Sequence, residues 1–404
     1  MMNKKNLEIY VHIPFCAQKC AYCDFLSFPE NRQMQQEYID RLLEEIKYQS
    51  EYAKEYQVIS IFIGGGTPSI LDFHQMSAVL TALSHQFDVH PEAEITLEAN
   101  PGTVTSEALC QYREAGVNRI SMGLQSADDK ELKYLGRIHT YDEFLKSFQR
   151  VRMAGFDNVN VDLISAIPGQ TVESWKNTLK KVTMLKPEHI SAYSLIVEEG
   201  TPFYDRYGEH VALDNDSMSK EERRHLMALP DLPDEDMERE MYYLTRAFLN
   251  EQGYERYEIS NYSRPGYECR HNIGYWTGVE YLGLGLGSSS YMNGCRFHNT
   301  ASYQAYKNGR FGRKEDFDQL LRQEFERLTT EQKMEEYMFL GLRLIEGVSA
   351  QGFVSSFGQN IRHVYGPVLD KLKQDRLLEI KDGYYRLTER GIDISNYVMS
   401  QFLI

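Results

Sequence analysis

Three of the six cysteines crowd into one short stretch, HIPFCAQKCAYCDF (12–25), as Cys16, Cys20 and Cys23. The C-x3-C-x2-C spacing lets three thiolates meet one face of a metal group without strain. Soft sulfur donors select zinc, Cu(I) or an iron–sulfur cluster. A structural zinc needs a fourth ligand; His12 lies upstream and Asp24 is a poor donor for the purpose. A [4Fe–4S] cluster ordinarily takes four cysteines, so three would leave one iron open to a small molecule. Of the remaining thiols, Cys110 sits in a helical pattern and reads as packing, and Cys295 has no assignable role.

These residues must be held by elements, and the first half of the chain alternates short β-rich runs with helical patterns. Strands are expected at 7–13, 58–66, 93–101, 117–125, 158–166 and 188–196, with helices between them, several ending on Gly such as Gly116 and Gly155. Strands alternating with helices predict an α/β fold with a parallel sheet. Six strands rather than eight predict a partial (β/α)6 TIM-like barrel, whose ligands sit at the carboxyl ends of the strands. The cysteine loop follows the first strand. Gly64–Gly66, the Glu98-Ala99-Asn100-Pro101 turn and Gln125 fall at later strand ends. The glycines let backbone approach a ligand and expose its polar groups. Glu98 and Asp162 can accept from hydroxyls or an ammonium, although Asp162 and Arg137 could equally form an internal or solvated ion pair. Thr171 reads as the N-cap of a helix.

With these positions named, the sequence resembles the radical S-adenosylmethionine superfamily. The segment YVHIPFC (10–16), GGGTP (64–68), Glu98 in LEANP, Gln125 in SMGLQS, Arg137 in LGRIHT and Asp162 in NVDLISAIPGQT occur in order. Together they are similar to one subfamily, the oxygen-independent coproporphyrinogen III dehydrogenases and the HemW-type heme chaperones. The resemblance implies a [4Fe–4S] cluster on Cys16, Cys20 and Cys23, with its open iron chelated by S-adenosylmethionine that electron transfer can cleave. It further implies that Tyr10, Gly65 and Glu98 hold that S-adenosylmethionine. Gly66, Thr67, Gln125, Arg137 and Asp162 match positions that line a second S-adenosylmethionine in the dehydrogenase.

Two departures separate the chain from the dehydrogenase. Phe25 stands where that enzyme has a further cysteine, and only nine residues precede Tyr10. A third feature, His271-Asn272-Ile273-Gly274-Tyr275-Trp276, resembles the HNxxYW motif linked to heme binding in the chaperones. His271 is then a candidate axial ligand, with Cys269 as an alternative; the competing expectation is a histidine hydrogen-bonded inside the core. The resemblance therefore implies heme delivery to an acceptor hemoprotein, including respiratory, membrane-associated ones. An electron donor for the cluster is a further partner, and a homodimer is compatible. Radical decarboxylation of coproporphyrinogen III, or heme methylation on the same scaffold, are the alternatives.

The remaining features bound this reading. The 404 residues carry a formal charge of −15, which opposes loose binding to nucleic acid. Neither a secretory signal nor a membrane-spanning run is visible, so a reducing cytoplasm is expected. The chain divides into a core at 1–235, an α+β extension at 236–328 and a C-terminal part at 329–404. A polar connector from about 202 leads to a helix at 236–250. HNxxYW is expected in an irregular aromatic segment. The last part reads helix, short helix, helix and a hairpin turning at Asp382-Gly383, a winged-helix-like module. It lacks a basic stripe, which favours a packing or interaction role over DNA binding.

Overall fold

The computed structural model describes residues 4–29, 31–208, 220–311 and 321–403. All six expected strands form: β1 (Lys5–Ile13), β2 (Tyr56–Gly65), β3 (Val89–Ala99), β4 (Arg119–Gln125), β5 (Val159–Ser165) and β6 (His189–Ser194). They are parallel and pair in chain order. The helices between them include α1 (Arg32–Ser50), α2 (Phe73–Gln86), α3 (Ser106–Glu114), α4 (Asp129–Tyr134), α5 (Tyr141–Met153) and α6 (Val172–Met184). Their starts are set by side-chain caps: Asp72, Thr140 and the expected Thr171 each form a reciprocal capping box. Gly116 and Gly155 end helices at φ of 102° and 84°, a conformation that favours glycine.

The barrel does not close. β6 pairs antiparallel with β8 (Asn261–Ser263), which pairs with β7 (Glu255–Arg256). On the other edge β1 pairs parallel with β9 (Glu280–Leu284), which continues through β10 (Ser289–Met292), β11 (Cys295–Asn299) and β12 (Arg322–Arg327). One twelve-stranded sheet results, with the partial (β/α)6 unit at its centre. Leu7, Ile9, Val11 and Ile13 of β1 are fully buried, and they belong to a core running through the helices of the same unit. A second apolar core spans Met334 to Phe402.

The connector holds two short helices, Pro202–Tyr207 and Lys220–Met227; residues 209–219 of it lie outside the described residues. The helix expected at 236–250 spans Glu235–Glu251. HNxxYW departs from expectation, because it folds as a helix, Arg270–Thr277, closed by Gly278 at φ 75°. The C-terminal part contains the helices Thr330–Gly341, Ala350–Phe357 and Ile361–Gln374 and a hairpin, Leu378–Lys381 with Tyr384–Leu387. Asp382 and Gly383 both have positive φ, as a two-residue hairpin turn requires.

Candidate functional site

Period-two alternation decides what enters the barrel. The odd residues of β1 pack outward against helices, so Glu8, Tyr10 and His12 share the inner face. In register with them, β2 supplies Ser60 and Phe62, β3 Glu94, Thr96 and Glu98, and β4 Arg119 and Ser121. β5 adds Asn160 and Asp162, and β6 His189 and Ser191. A full barrel of this kind is ordinarily filled with branched apolar side chains; this interior is a hydrogen-bonded polar column. Asn160 Nδ2 donates to Asp162 Oδ1 at 2.8 Å and to Ser121 Oγ at 2.8 Å, and His189 Nδ1 pairs with Asn160 Oδ1 at 2.6 Å.

At the carboxyl ends of the strands the column opens into a cavity of about 460 Å³. Cys16, Cys20 and Cys23 line it from the loop after β1. All three thiols are free of disulfides and partly exposed. The rest of the lining includes Gly65, Gly66, Thr67, Glu98, Gln125, Arg137 and Asp162. Of the residues given a cluster, S-adenosylmethionine or heme role from the sequence, all enter this cavity except Tyr10, His271 and its alternative Cys269, while Cys110, expected in packing, is exposed. Among the described residues, no three His, Cys, Asp or Glu side chains are drawn in around a single metal ion.

The wall is built by a short chain of contacts. Cys16 Sγ lies 3.5 Å from Thr67 Oγ1, which accepts from Asn100 Nδ2 at 2.7 Å. Arg137 donates to Asn100 Oδ1 at 2.7 Å and to the Gly123 carbonyl at 2.6 Å, and its other nitrogen lies 3.7 Å from Cys20 Sγ. This sets Arg137 against a thiol rather than a carboxylate. Glu98 accepts from the Gly65 amide at 3.1 Å. Burial, with the Asp162 carboxyl nearby, pushes Glu98 up to about 8. Burial also raises Asp162, against its bonds from Ser121 and Asn160. Two carboxyls that resist ionisation in this way suit a cationic guest, whose charge would favour their ionised forms.

The glycines serve packing more than ligand access. A Cβ on Gly65, at φ 110°, would fall 2.4 Å from the His12 ring, and one on Gly66 would fall 2.7 Å from the Phe15 carbonyl. Gly66 and Thr67 donate to the carbonyls of Ile13 and Phe15, pinning the cysteine loop to β2. Tyr10 stands one step behind the cavity. Its hydroxyl meets His12 Nδ1 at 3.0 Å, while His12 Nε2 meets the Leu26 carbonyl at 2.8 Å.

His271 lies deeper, near the amino-terminal half of β1 and β2. Its Nδ1 pairs with Ser60 Oγ at 2.8 Å and its Nε2 with Tyr275 OH at 3.2 Å, and the ring stacks on Phe62 at 5.3 Å. Burial and the Arg119 charge lower it to about 3, so the imidazole is neutral at ordinary pH. Cys269 is also fully buried, with its thiol on Glu94 at 3.4 Å.

Sequence reading missed Asn100 as the hub between Thr67 and Arg137, and it missed His12 and Ser121 as supports. Their signal was present: polar residues at every second position of strands whose intervening residues are apolar. The hairpin at Asn293-Gly294, with φ of 52° and 71°, was likewise announced by its dipeptide.

Comparison with known proteins agrees with this geometry. The Radical SAM superfamily domain matches residues 10–182, and the HemN C-terminal domain matches residues 328–394. The chain is 37% identical over 404 residues to the heme chaperone HemW of Lactococcus lactis subsp. lactis, covering 100% of this chain and 99% of that protein. It is 33% identical to the heme chaperone HemW of Escherichia coli, covering 100% of both. In fold it is similar to the coproporphyrinogen III oxidase HemN of Escherichia coli, with a TM-score of 0.80 and 22% identity, covering 99% of this chain and 90% of that one. With relatives matched end to end and both domains in place, the chain belongs to the radical SAM superfamily, within the HemW family.

Proposed function

We propose that this protein is a heme chaperone of the radical SAM type. It holds a [4Fe–4S] cluster on Cys16, Cys20 and Cys23 and S-adenosylmethionine in the cavity beside it, and it delivers heme to acceptor hemoproteins. The observation that carries the first part is the convergence of three free thiols with Gly65, Glu98, Arg137 and Asp162 on one cavity. The donor set fits the group. A mononuclear zinc needs its donors within about 2.3 Å of one point, whereas three thiols along one wall suit a larger multi-iron group with an open corner. When bound, the cluster would supply an electron to S-adenosylmethionine. The protein's own part is binding and orientation: Glu98 and Asp162 offer half-buried carboxyls to the ligand's positive charge, and Arg137 places a fixed cation beside Cys20.

Heme delivery is supported by the full-length relatives named heme chaperones. Phe25, at the cavity mouth and 68% exposed, supports it too, since this position offers no additional thiol. No helix among the described residues is long and apolar enough to cross a membrane. The reading places the protein in the cytoplasm, with an electron donor and a heme-accepting protein as partners and no nucleic acid.

The test is anaerobic reconstitution with iron and sulfide, followed by hemin loading and transfer to an apo-hemoprotein. Restored acceptor activity is expected, and Cys20→Ser should lose the cluster. Formation of protoporphyrinogen from coproporphyrinogen III, without heme transfer, would replace this function with the dehydrogenase one.

A further inference from the structure

Arg137, Asn100 and Thr67 form a line of hydrogen bonds between two of the cysteines, and the line has a direction. A guanidinium only donates. Arg137 Nη2 meets the Asn100 side chain at 2.7 Å, so the atom it meets is the amide oxygen, Oδ1. The Asn100 Nδ2 then faces Thr67 Oγ1 and donates to it at 2.7 Å. That hydroxyl accepts from Asn100 and keeps one proton to give. Thr67 is 4% exposed, and among the described residues the other group within reach of its hydroxyl is Cys16 Sγ, at 3.5 Å.

The other end of the line is closed as well. Arg137 Nη1 lies 3.7 Å from Cys20 Sγ, while Nη2 is also anchored on the Gly123 carbonyl at 2.6 Å. Asn100 is held through its backbone, whose amide donates to Ser69 Oγ at 3.3 Å and whose carbonyl accepts from Thr103 Oγ1 at 2.7 Å. A Cβ on Gly123 would come within 3.0 Å of Asn100 Oδ1, so the amide is packed on that side too.

We propose that Asn100 is a positioning residue for the reduction potential of the cluster: its amide aims the Thr67 hydroxyl at Cys16 and the Arg137 guanidinium at Cys20. The inference rests on the cluster assignment above. A hydrogen bond donated to a ligating sulfur stabilises the more negative, reduced state and so raises the potential. Two of the three cysteines receive such a donor from the two ends of one amide. An aspartate at this position would reverse one end. Its carboxylate would accept from Arg137 as before, but it could only accept from Thr67, which draws the hydroxyl proton away from Cys16.

The test is the midpoint potential of the reconstituted full chain without S-adenosylmethionine, followed by electron paramagnetic resonance, with iron and sulfide measured on the same sample. Thr67→Val keeps the side-chain shape and removes the hydroxyl. It should lower the potential by a tenfold change in the reduction equilibrium, about 59 mV for one electron. Thr67→Ser should restore the parental value. Asn100→Asp should lower the potential at least as far as Thr67→Val does. Its added charge acts whether or not Thr67 carries a hydroxyl, so the double variant separates the two effects. If Asn100 works through Thr67, Asn100→Asp shifts the potential less in the Thr67→Val background than in the parent. Equal shifts in both backgrounds, or a parental potential in Thr67→Val, would overturn the inference and leave the cluster assignment standing. Should Asn100→Asp take up no cluster, Asn100→Leu, neutral and of similar size, replaces it in the same cycle with the same deciding outcomes. A parent chain that takes up no cluster would remove both the inference and the assignment.

Discussion

Glu8 is fully buried on the inner face of β1 near Ser60, and among the described residues neither carboxyl oxygen has a hydrogen bond of good geometry. Burial, with Glu94 nearby, pushes it up to about 9. Its folded pKa therefore lies above the ordinary 4.5, and folding takes up a proton. The resulting stability is complete below about pH 4.5 and drains away as pH rises toward 9, by up to about 1.4 kcal/mol per unit. His271, lowered to about 3, is neutral in both states above about pH 6.5 and adds no slope there. Glu98, raised to about 8, keeps its own share of the slope. Glu8→Gln should thus gain about 3 kcal/mol on its parent between pH 6 and pH 8.5, measured by urea unfolding. Parallel stability curves would show that Glu8 ionises freely. At Gly65 the argument is steric. Gly65→Ala combines φ 110° with a Cβ 2.4 Å from the His12 ring, so it should cost about 2 kcal/mol or more and loosen S-adenosylmethionine binding, read by calorimetry.

The HNxxYW helix shows why one element escaped sequence reading while six strands did not. The strands carry strong apolar runs; in β5 all residues but Asp162 are buried, and in β1 all from Leu7 onward but Tyr10. Arg270–Thr277 has no side-chain cap hydrogen bond at Cys269, contains Gly274 and spans only eight residues, so local propensity argues against a helix. Tertiary contacts override it: Glu94 accepts from the backbone amides of Arg270 and His271, filling the role of a cap from another strand. The visible clue was the i, i+4 pair His271 and Tyr275, whose rings meet at 4.9 Å. This origin predicts the sign of a substitution. Gly274→Ala improves intrinsic helix propensity by about 1 kcal/mol. Its Cβ, however, would fall 1.9 Å from Glu8 Oε1, inside a packed core. Overpacking costs about 1–3 kcal/mol, so the variant should melt below its parent. A raised melting temperature would mean that the helix is limited by propensity after all.

At the scale of the molecule, the cysteine cavity was legible because each contributing strand announces its own end residue, whatever its neighbours do. A second cavity, between the Arg270–Thr277 helix and the C-terminal part, was not, because its lining comes from residues 276 to 384 that only tertiary packing brings together. Charged and hydroxyl contacts tie the C-terminal part to the rest of the chain along a seam. Arg296 of β11 makes a bidentate pair with Glu336 of Thr330–Gly341 at 2.8 and 2.9 Å, and Tyr243 OH donates to Asp393 at 2.6 Å. Arg246 also pairs with Glu389. Arg296→Leu leaves Glu336, 18% exposed in its side chain, without its guanidinium. The loss should be about 1–2 kcal/mol, the scale of hydrogen bonds to a charged group at a half-exposed site. Its location matters more than its size. The pair joins the large sheet to the C-terminal core, so the weakened contact should open the seam without unfolding either core. Protease cleavage near residue 328 should therefore quicken. S-adenosylmethionine affinity should hold at the parental value, since no residue of the pair touches the cysteine cavity. If S-adenosylmethionine binding fell together with seam protection, the two cavities would be coupled and the seam would have to be counted as part of the radical SAM site.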